Sequence, residues 1–106
     1  MYFDYEEFIP KRLEQLRIAK GVSARDMSLT LGQNESYINR IETEKAFPSM
    51  TVFFYICEYF GITPQQFFEE DNKNPAYVNE VMENLKKLDA KSFEHFAGLL
   101  REFTRR

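Results

Sequence analysis

The chain has 106 residues, 43% of them hydrophobic, which predicts one compact domain or one small domain followed by a dimerisation element. The composition argues against a disulfide-rich or membrane-spanning protein, since there is one cysteine and no apolar run near the ~18 residues of a spanning helix. The net charge is −3 and the start of the chain has no signal-peptide pattern, so we expect a soluble cytoplasmic protein.

The first predicted element is a helix over residues 4–19. Pro10 lies inside this span, where proline removes a backbone donor and clashes with the preceding turn. The pattern therefore also allows a later start near Ile9, which would place Pro10 at its favoured first position. The residues at helical spacing that this helix would bury are Phe8, Ile9, Leu13 and Leu16.

Residues 23–42 are predicted to form two short helices joined by a tight turn, the layout of a helix-turn-helix. Ser23 is expected to cap the first of them and Asn34 the second. Gly32 stands where a chain leaving a helix often takes a left-handed conformation. The apolar residues expected to face the core are Met27, Leu31, Tyr37, Ile38 and Ile41. Because helices this short are not stable alone, the flanking sequence must supply a small bundle.

The segment 50–60 is predicted to be a fourth helix, capped by Ser49 and ended by Gly61. It is apolar on most sides, so we expect it at the centre of the core, with Cys57 as a buried, unreactive thiol. Its β-branched and aromatic residues would also suit a strand, but a strand here has no obvious partner.

A short fifth helix over residues 63–68 precedes a polar, proline-containing run at 69–75, which indicates a domain boundary. The predicted domains are residues 1–70, a five-helix unit, and residues 71–106, a helical hairpin, so the fold class is all-α. A hairpin this short holds too little core to be stable alone and must pack on the first domain or on a second copy. We favour dimerisation through its apolar stripes, which include Val78, Val81, Met82, Leu85, Phe93, Phe96, Leu100 and Phe103.

Further residues surround the helix-turn-helix at specific spacings. They are Arg12-Leu13, Leu16-Arg17, Lys20 to Ser23, Met27-Ser28, Leu31-Gly32, Tyr37 to Glu42, Lys45, Pro48-Ser49, Ile56 to Pro64 and Phe67-Phe68. Through this string, residues 8–68 resemble, without a gap, the Cro/lambda-repressor-like or XRE family. The resemblance implies a five-helix domain whose third helix enters the DNA major groove. It also implies repression or activation of transcription by a dimer, and a structural salt bridge between Arg17 and Glu42.

Three positions depart from the family pattern. Ala24 stands where the family usually has a glutamine that contacts phosphate. Glu44 replaces the glycine that follows the recognition helix, so that turn must be made with a Cβ present. Glu35 places a carboxylate, which phosphates repel, at the first exposed recognition position.

The exposed residues of a recognition helix over 34–42 and its surroundings are the candidate DNA contacts. The candidate base contacts are Glu35, Ser36, Asn39 and Arg40. The candidate phosphate contacts are Arg25, Asn34, Tyr37, Thr43 and Lys45. Arg40 is the best base reader because a guanidinium pairs bidentately with guanine, although a solvated surface role is the alternative. Glu35 would either accept from cytosine or favour the positive end of the helix dipole.

The charge balance and the residue types limit the possible classes of function further. Within residues 20–47 four basic side chains balance four acidic ones, so DNA affinity would depend on local arrangement and on two copies acting together. An enzyme is not expected, because His95 is the only histidine and no metal-ligand spacing or phosphate-binding glycine loop occurs. No cofactor or metal is implied. The acidic balance, Glu35 and the apolar tail leave a rival hypothesis, a protein-interaction module such as the partner-binding subunit of a toxin–antitoxin pair or an antagonist of a regulator.

Overall fold

The computed structural model describes residues 3–105 and contains seven helices and no strand within that range. The helices are α1 (Tyr5–Lys20), α2 (Ala24–Thr30), α3 (Tyr37–Glu42), α4 (Met50–Phe60), α5 (Pro64–Phe67), α6 (Pro75–Lys86) and α7 (Ala90–Thr104). The all-helical prediction is therefore confirmed. Among the described helices, none has the length and apolar character needed to cross a membrane.

The chain divides into two compact units between Ala76 and Tyr77. This division lies beyond residue 70, where composition alone places the boundary, because the start of α6 belongs to the first unit. Pro75 is buried there and Ala76 packs against the core. The second unit holds the remainder of α6 and all of α7.

The first helix begins before its proline. The carboxylate of Asp4 accepts from the backbone N–H of Glu7 at 3.2 Å, which satisfies one of the orphan donors of the first turn. Glu6 and Glu7 in that turn also favour the positive end of the helix dipole. Pro10 is a buried residue within α1, so the alternative start near Ile9 is wrong.

The core of the first unit lies where α1 to α5 meet. Its buried apolar members are Leu13, Leu16, Met27, Ile38, Ile41, Ile56, Cys57, Phe60, Ile62 and Phe67. The expectation for α4 is wrong in part, because only Ile56, Cys57 and Phe60 of this helix are buried. Burial raises the pKa of the Cys57 thiol to about 11, so the group stays protonated near neutral pH, as an unreactive core thiol should.

A buried arginine joins α1 to the end of α5. Arg12 is 2% exposed, and its guanidinium donates to the carbonyl oxygens of Phe67 at 2.6 Å and Gln66 at 2.8 Å. These carbonyls lie at the end of α5, where a cation is favoured by the helix dipole. Burial lowers the pKa of Arg12. The sequence does carry a signal for this role, because Arg12 lies four residues from both Phe8 and Leu16 on the inner face of α1.

Four helices end in the same hydrogen-bond pattern, a Schellman motif. At the end of α3 the N–H of Lys45 donates to the carbonyl of Arg40, and that of Glu44 to the carbonyl of Ile41. The ends of α1, α2 and α4 place a glycine at the corresponding left-handed position. Glu44 takes the same left-handed conformation, with φ +64°, although a Cβ makes this conformation unfavourable. The turn expected from the Glu44 departure is therefore present, and it is strained.

Replacing Glu44 with glycine should raise the free energy of unfolding by about 0.5–1 kcal/mol, because relief of the left-handed strain exceeds the entropy cost of glycine. Urea unfolding followed by circular dichroism measures the change. Glu44→Ala is the matched control, since it removes the charge but keeps the Cβ, and it should stay within about 0.5 kcal/mol of the parent. A glycine variant less stable than the alanine variant would contradict this account.

Candidate nucleic-acid interface

The first helix and the turn of the helix-turn-helix form as their sequence predicts. The hydroxyl of Ser23 accepts from the N–H of Asp26 at 3.0 Å and caps α2, and Gly32 adopts φ +73° in the turn. Ser23 and Gly32 are therefore confirmed in these roles.

The predicted cap of the second helix is wrong. The helix begins at Tyr37, not at Asn34, and its N-cap residue, Ser36, makes no side-chain capping bond. The side-chain oxygen of Asn34 instead accepts from the backbone N–H of Ser36 at 3.0 Å and from its hydroxyl at 2.8 Å. Because the Asn34 side chain is engaged with its own turn, it closes the loop before the helix and caps no helical residue.

The missing cap of α3 is supplied from α2. The hydroxyl of Ser28 accepts from the N–H of Ile38 at 3.0 Å and donates to the carbonyl of Ala24 at 2.7 Å. Ser28 and Ile38 are both fully buried. One side chain thus satisfies an orphan donor of α3 and holds the two helices together. Sequence analysis missed this role, although a serine directly after the core residue Met27 is the signal for a polar group facing the core.

The partly buried pair formed by Arg17 and Glu42 links α3 to α1. Arg17 Nε and Nη2 donate to the two carboxylate oxygens of Glu42 at 2.7 and 2.9 Å, and Nη1 donates to the carbonyl of Val22 at 2.9 Å. The two side chains are 18% and 7% exposed. The hydrogen bond with Glu42 raises the pKa of Arg17. The structure brings these two residues together in the way that the resemblance implies.

Four of the candidate DNA contacts line one shallow depression of about 420 Å³, which also includes Ala46. They are Asn34, Ser36, Tyr37 and Arg40. Tyr37 is half-buried, and burial raises the pKa of its hydroxyl. The depression places a guanidinium, hydroxyls and an amide on one surface, which is the chemistry that base edges and phosphates recognise.

The remaining candidates lie around this depression. Asn39 and Thr43 are exposed, and the hydroxyl of Thr43 donates to the carbonyl of Asn39 at 2.8 Å. Lys45 lines a neighbouring depression that also contains Glu6 and Glu44. Its positive charge is therefore accompanied by two carboxylates.

Arg25 and Glu35 form an ion pair that sequence analysis did not predict. Arg25 Nε lies 3.2 Å from a carboxylate oxygen of Glu35, and both side chains are well exposed. A candidate phosphate contact and a candidate base contact are thus paired with each other. An exposed pair of this kind contributes less than about 1 kcal/mol, but it places a carboxylate beside the Arg25 charge that would approach phosphate.

The predicted dimerisation residues lie on α6 and α7. Seven of them are exposed: Val78, Val81, Met82, Phe93, Phe96, Leu100 and Phe103. Leu85 is half-buried. None of the residues of α7 is buried.

The geometry of α2, its turn and α3 defines a helix-turn-helix domain. A family model described as a helix-turn-helix domain matches residues 11–73, which is more than half of the chain. The chain belongs to this family, and its domain is of the XRE/Cro-like type. Comparisons with curated proteins and with solved structures find no match.

Replacing Ser28 with alanine should lower the free energy of unfolding by about 1–3 kcal/mol, because it leaves the buried N–H of Ile38 without an acceptor. Thermal or urea unfolding measures the loss. Ser36→Ala is the matched control, since its exposed hydroxyl caps no helix and donates only to Asn34 in its own turn, and it should cost at most about 0.5 kcal/mol. Equal losses for the two variants would show that Ser28 does not hold α3.

Proposed function

We propose that the protein is a cytoplasmic, sequence-specific DNA-binding regulator of transcription that acts as a homodimer, with α3 in the major groove. Membership of the helix-turn-helix family is the observation that carries this proposal. Its support in the structure is the division of α3 into two faces. Ile38 and Ile41 are fully buried, whereas Asn39 and Arg40 on the opposite side are exposed.

In this proposal Arg40 reads a guanine through its guanidinium, and Ser36 and Asn39 contact adjacent base edges. The backbone contacts come from Asn34, Tyr37, Thr43 and Lys45, and Arg25 joins them only when Glu35 does not hold it in the ion pair. The role is one of binding without catalysis.

We infer a dimer because one copy has no net positive charge on the segment that would face DNA. Residues 20–47 have no net charge, and Arg25 and Lys45 each lie beside carboxylates. Since phosphate neutralisation provides much of the affinity for DNA, one copy would bind weakly. Two linked copies gain affinity because the second binding event becomes intramolecular. The exposed apolar faces of α6 and α7 are the proposed linkage.

The second candidate function is a protein-interaction module on the same fold, antitoxin-like or an antagonist of a regulator. The Arg25–Glu35 pair favours it, because this pair removes a positive charge from the surface that would approach phosphate. Under this alternative, DNA binding is weak or absent and the exposed face of the helix-turn-helix contacts another protein.

Selection of fragments from genomic DNA at low salt separates the two functions. The DNA-binding proposal predicts enrichment of fragments that share a two-fold-related motif. Arg40→Ala should relax the selected sequence at one base pair in each half-site, at a cost of about 1–3 kcal/mol there. A confirmed dimer that enriches no fragment would refute the regulator proposal and leave the interaction module.

Replacing Glu35 with glutamine should free Arg25 and tighten binding to DNA of any sequence. If Arg25 then neutralises one more phosphate, a plot of log K against log salt should steepen by about 0.9. Fluorescence anisotropy at several salt concentrations measures this slope. The control is the double variant Glu35→Gln with Arg25→Gln, which should return the slope to the parental value. An unchanged slope in the single variant would mean that the pair does not mask a phosphate contact.

A further inference from the structure

An apolar groove of about 390 Å³ lies on the first unit and takes no part in the interface described above. The start of α1, the loop before α4, α4 itself and the residue after α5 form it. Its main lining residues are Tyr5, Ile9, Phe47, Met50, Phe53 and Phe68. Phe47 is 52% exposed and Met50 is 67% exposed. An open apolar surface with flexible methionine and aromatic side chains is typical of a site that binds another chain.

Acidic residues flank this groove on two sides. The depression next to it that shares Phe47 is lined by Glu6, Glu44 and Lys45 among others. The depression that shares Phe68 is lined by Glu69, Glu70 and Asp71. The groove therefore favours an occupant that is apolar at its centre and basic at its margins.

Helix α7 of the same chain combines apolar and basic residues in this way. Along α7, apolar residues recur at i, i+3, i+7 and i+10, the spacing of helix-in-groove anchors. These residues are Phe93, Phe96, Leu100 and Phe103, and their exposure runs from 46% at Phe93 to 63% at Phe103. From residue 90 onwards the sequence has four basic and two acidic side chains, whose difference gives a net charge of +2. No residue of α7 is buried.

We propose that the groove receives α7 of a second copy of this chain. This inference rests on the proposed homodimer and states where its C-terminal helices bind. Because each copy has one groove and one α7, a two-fold arrangement makes two equivalent contacts, in the manner of an exchanged segment. If each of the four anchors buries on the order of 100 Å² and the groove loses an equal area, the two contacts together remove roughly 1,600 Å² from solvent, the size of a stable interface.

Thiol cross-linking tests which copy and which surface α7 contacts. Chains carrying Met50→Cys and chains carrying Leu100→Cys are refolded together and treated with a short bismaleimide. The native Cys57 is buried, with a pKa raised to about 11, so the unsubstituted chain serves as a background control. The proposal predicts a covalent dimer that joins one chain of each kind.

Two other products would overturn it. A link between two Leu100→Cys chains that exceeds the mixed product would mean that the tails pair with each other. A double variant that links only within one chain would mean that α7 fills the groove of its own chain.

Sedimentation equilibrium gives an independent test. Met50→Glu should raise the dimer dissociation constant at least tenfold, because it places a carboxylate in an apolar groove with acidic flanks. The variant should still fold, since Met50 is largely exposed and acidic residues are favoured in the first turn of a helix. Ile18→Glu makes the same change on an exposed apolar residue of α1 outside the groove and should change the constant by less than twofold. Equal effects of the two substitutions would refute the groove assignment.

The outcomes of cross-linking and sedimentation are separate from the test of DNA binding, because neither experiment contains DNA. A mixed cross-linked dimer that selects no genomic fragment would leave the groove assignment standing without the regulator. A tail-to-tail link in a protein that does select DNA would leave the regulator without the groove assignment.

Discussion

The position of α3 depends on the guanidinium of Arg17. Its donors contact both carboxylate oxygens of Glu42 in α3 and the carbonyl of Val22 in the loop between α1 and α2. One side chain therefore joins three segments. With Glu42 only 7% exposed, loss of Arg17 would leave a nearly buried carboxylate without its partner, which is a costly arrangement. The helix is held in one orientation because the alternative is an uncompensated charge.

Because α3 is short, a small number of contacts is enough to orient it. It spans six residues, and Ile38 and Ile41 point into the core, so the face with Asn39 and Arg40 must point outwards. Ser28 holds the beginning of the helix from α2 while Glu42 holds its end. The residues that determine the orientation are buried or half-buried, and those proposed to contact DNA are exposed apart from the half-buried Tyr37. Binding specificity can then change at the exposed positions without loss of the fold.

The sequence predicts those features that depend on a few neighbouring residues. Ser23, Ser49 and Gly61 cap helices because their roles require only a hydroxyl or a glycine at the right place in the chain. Asn34 shows the limit of this reasoning, because a good capping residue can bond to its own turn when another segment supplies the cap. The roles of Ser28 and Arg12 depend on partners from other helices. The pair between Arg25 and Glu35 spans ten positions and likewise became visible only in three dimensions. The partial exposure of α4 could not be predicted either, because hydrophobic periodicity does not say which side of an apolar helix the other helices cover.

We propose that α3 reads the major groove in two symmetric half-sites. Methylation of guanine N7 modifies only the major groove, so interference with binding by this modification on a selected fragment tests the claim directly. We expect interference at guanines in two half-sites whose centres are about 34 Å apart, or a multiple of that distance. Binding unaffected by N7 methylation, but lost when adenine N3 in the minor groove is methylated, would contradict it.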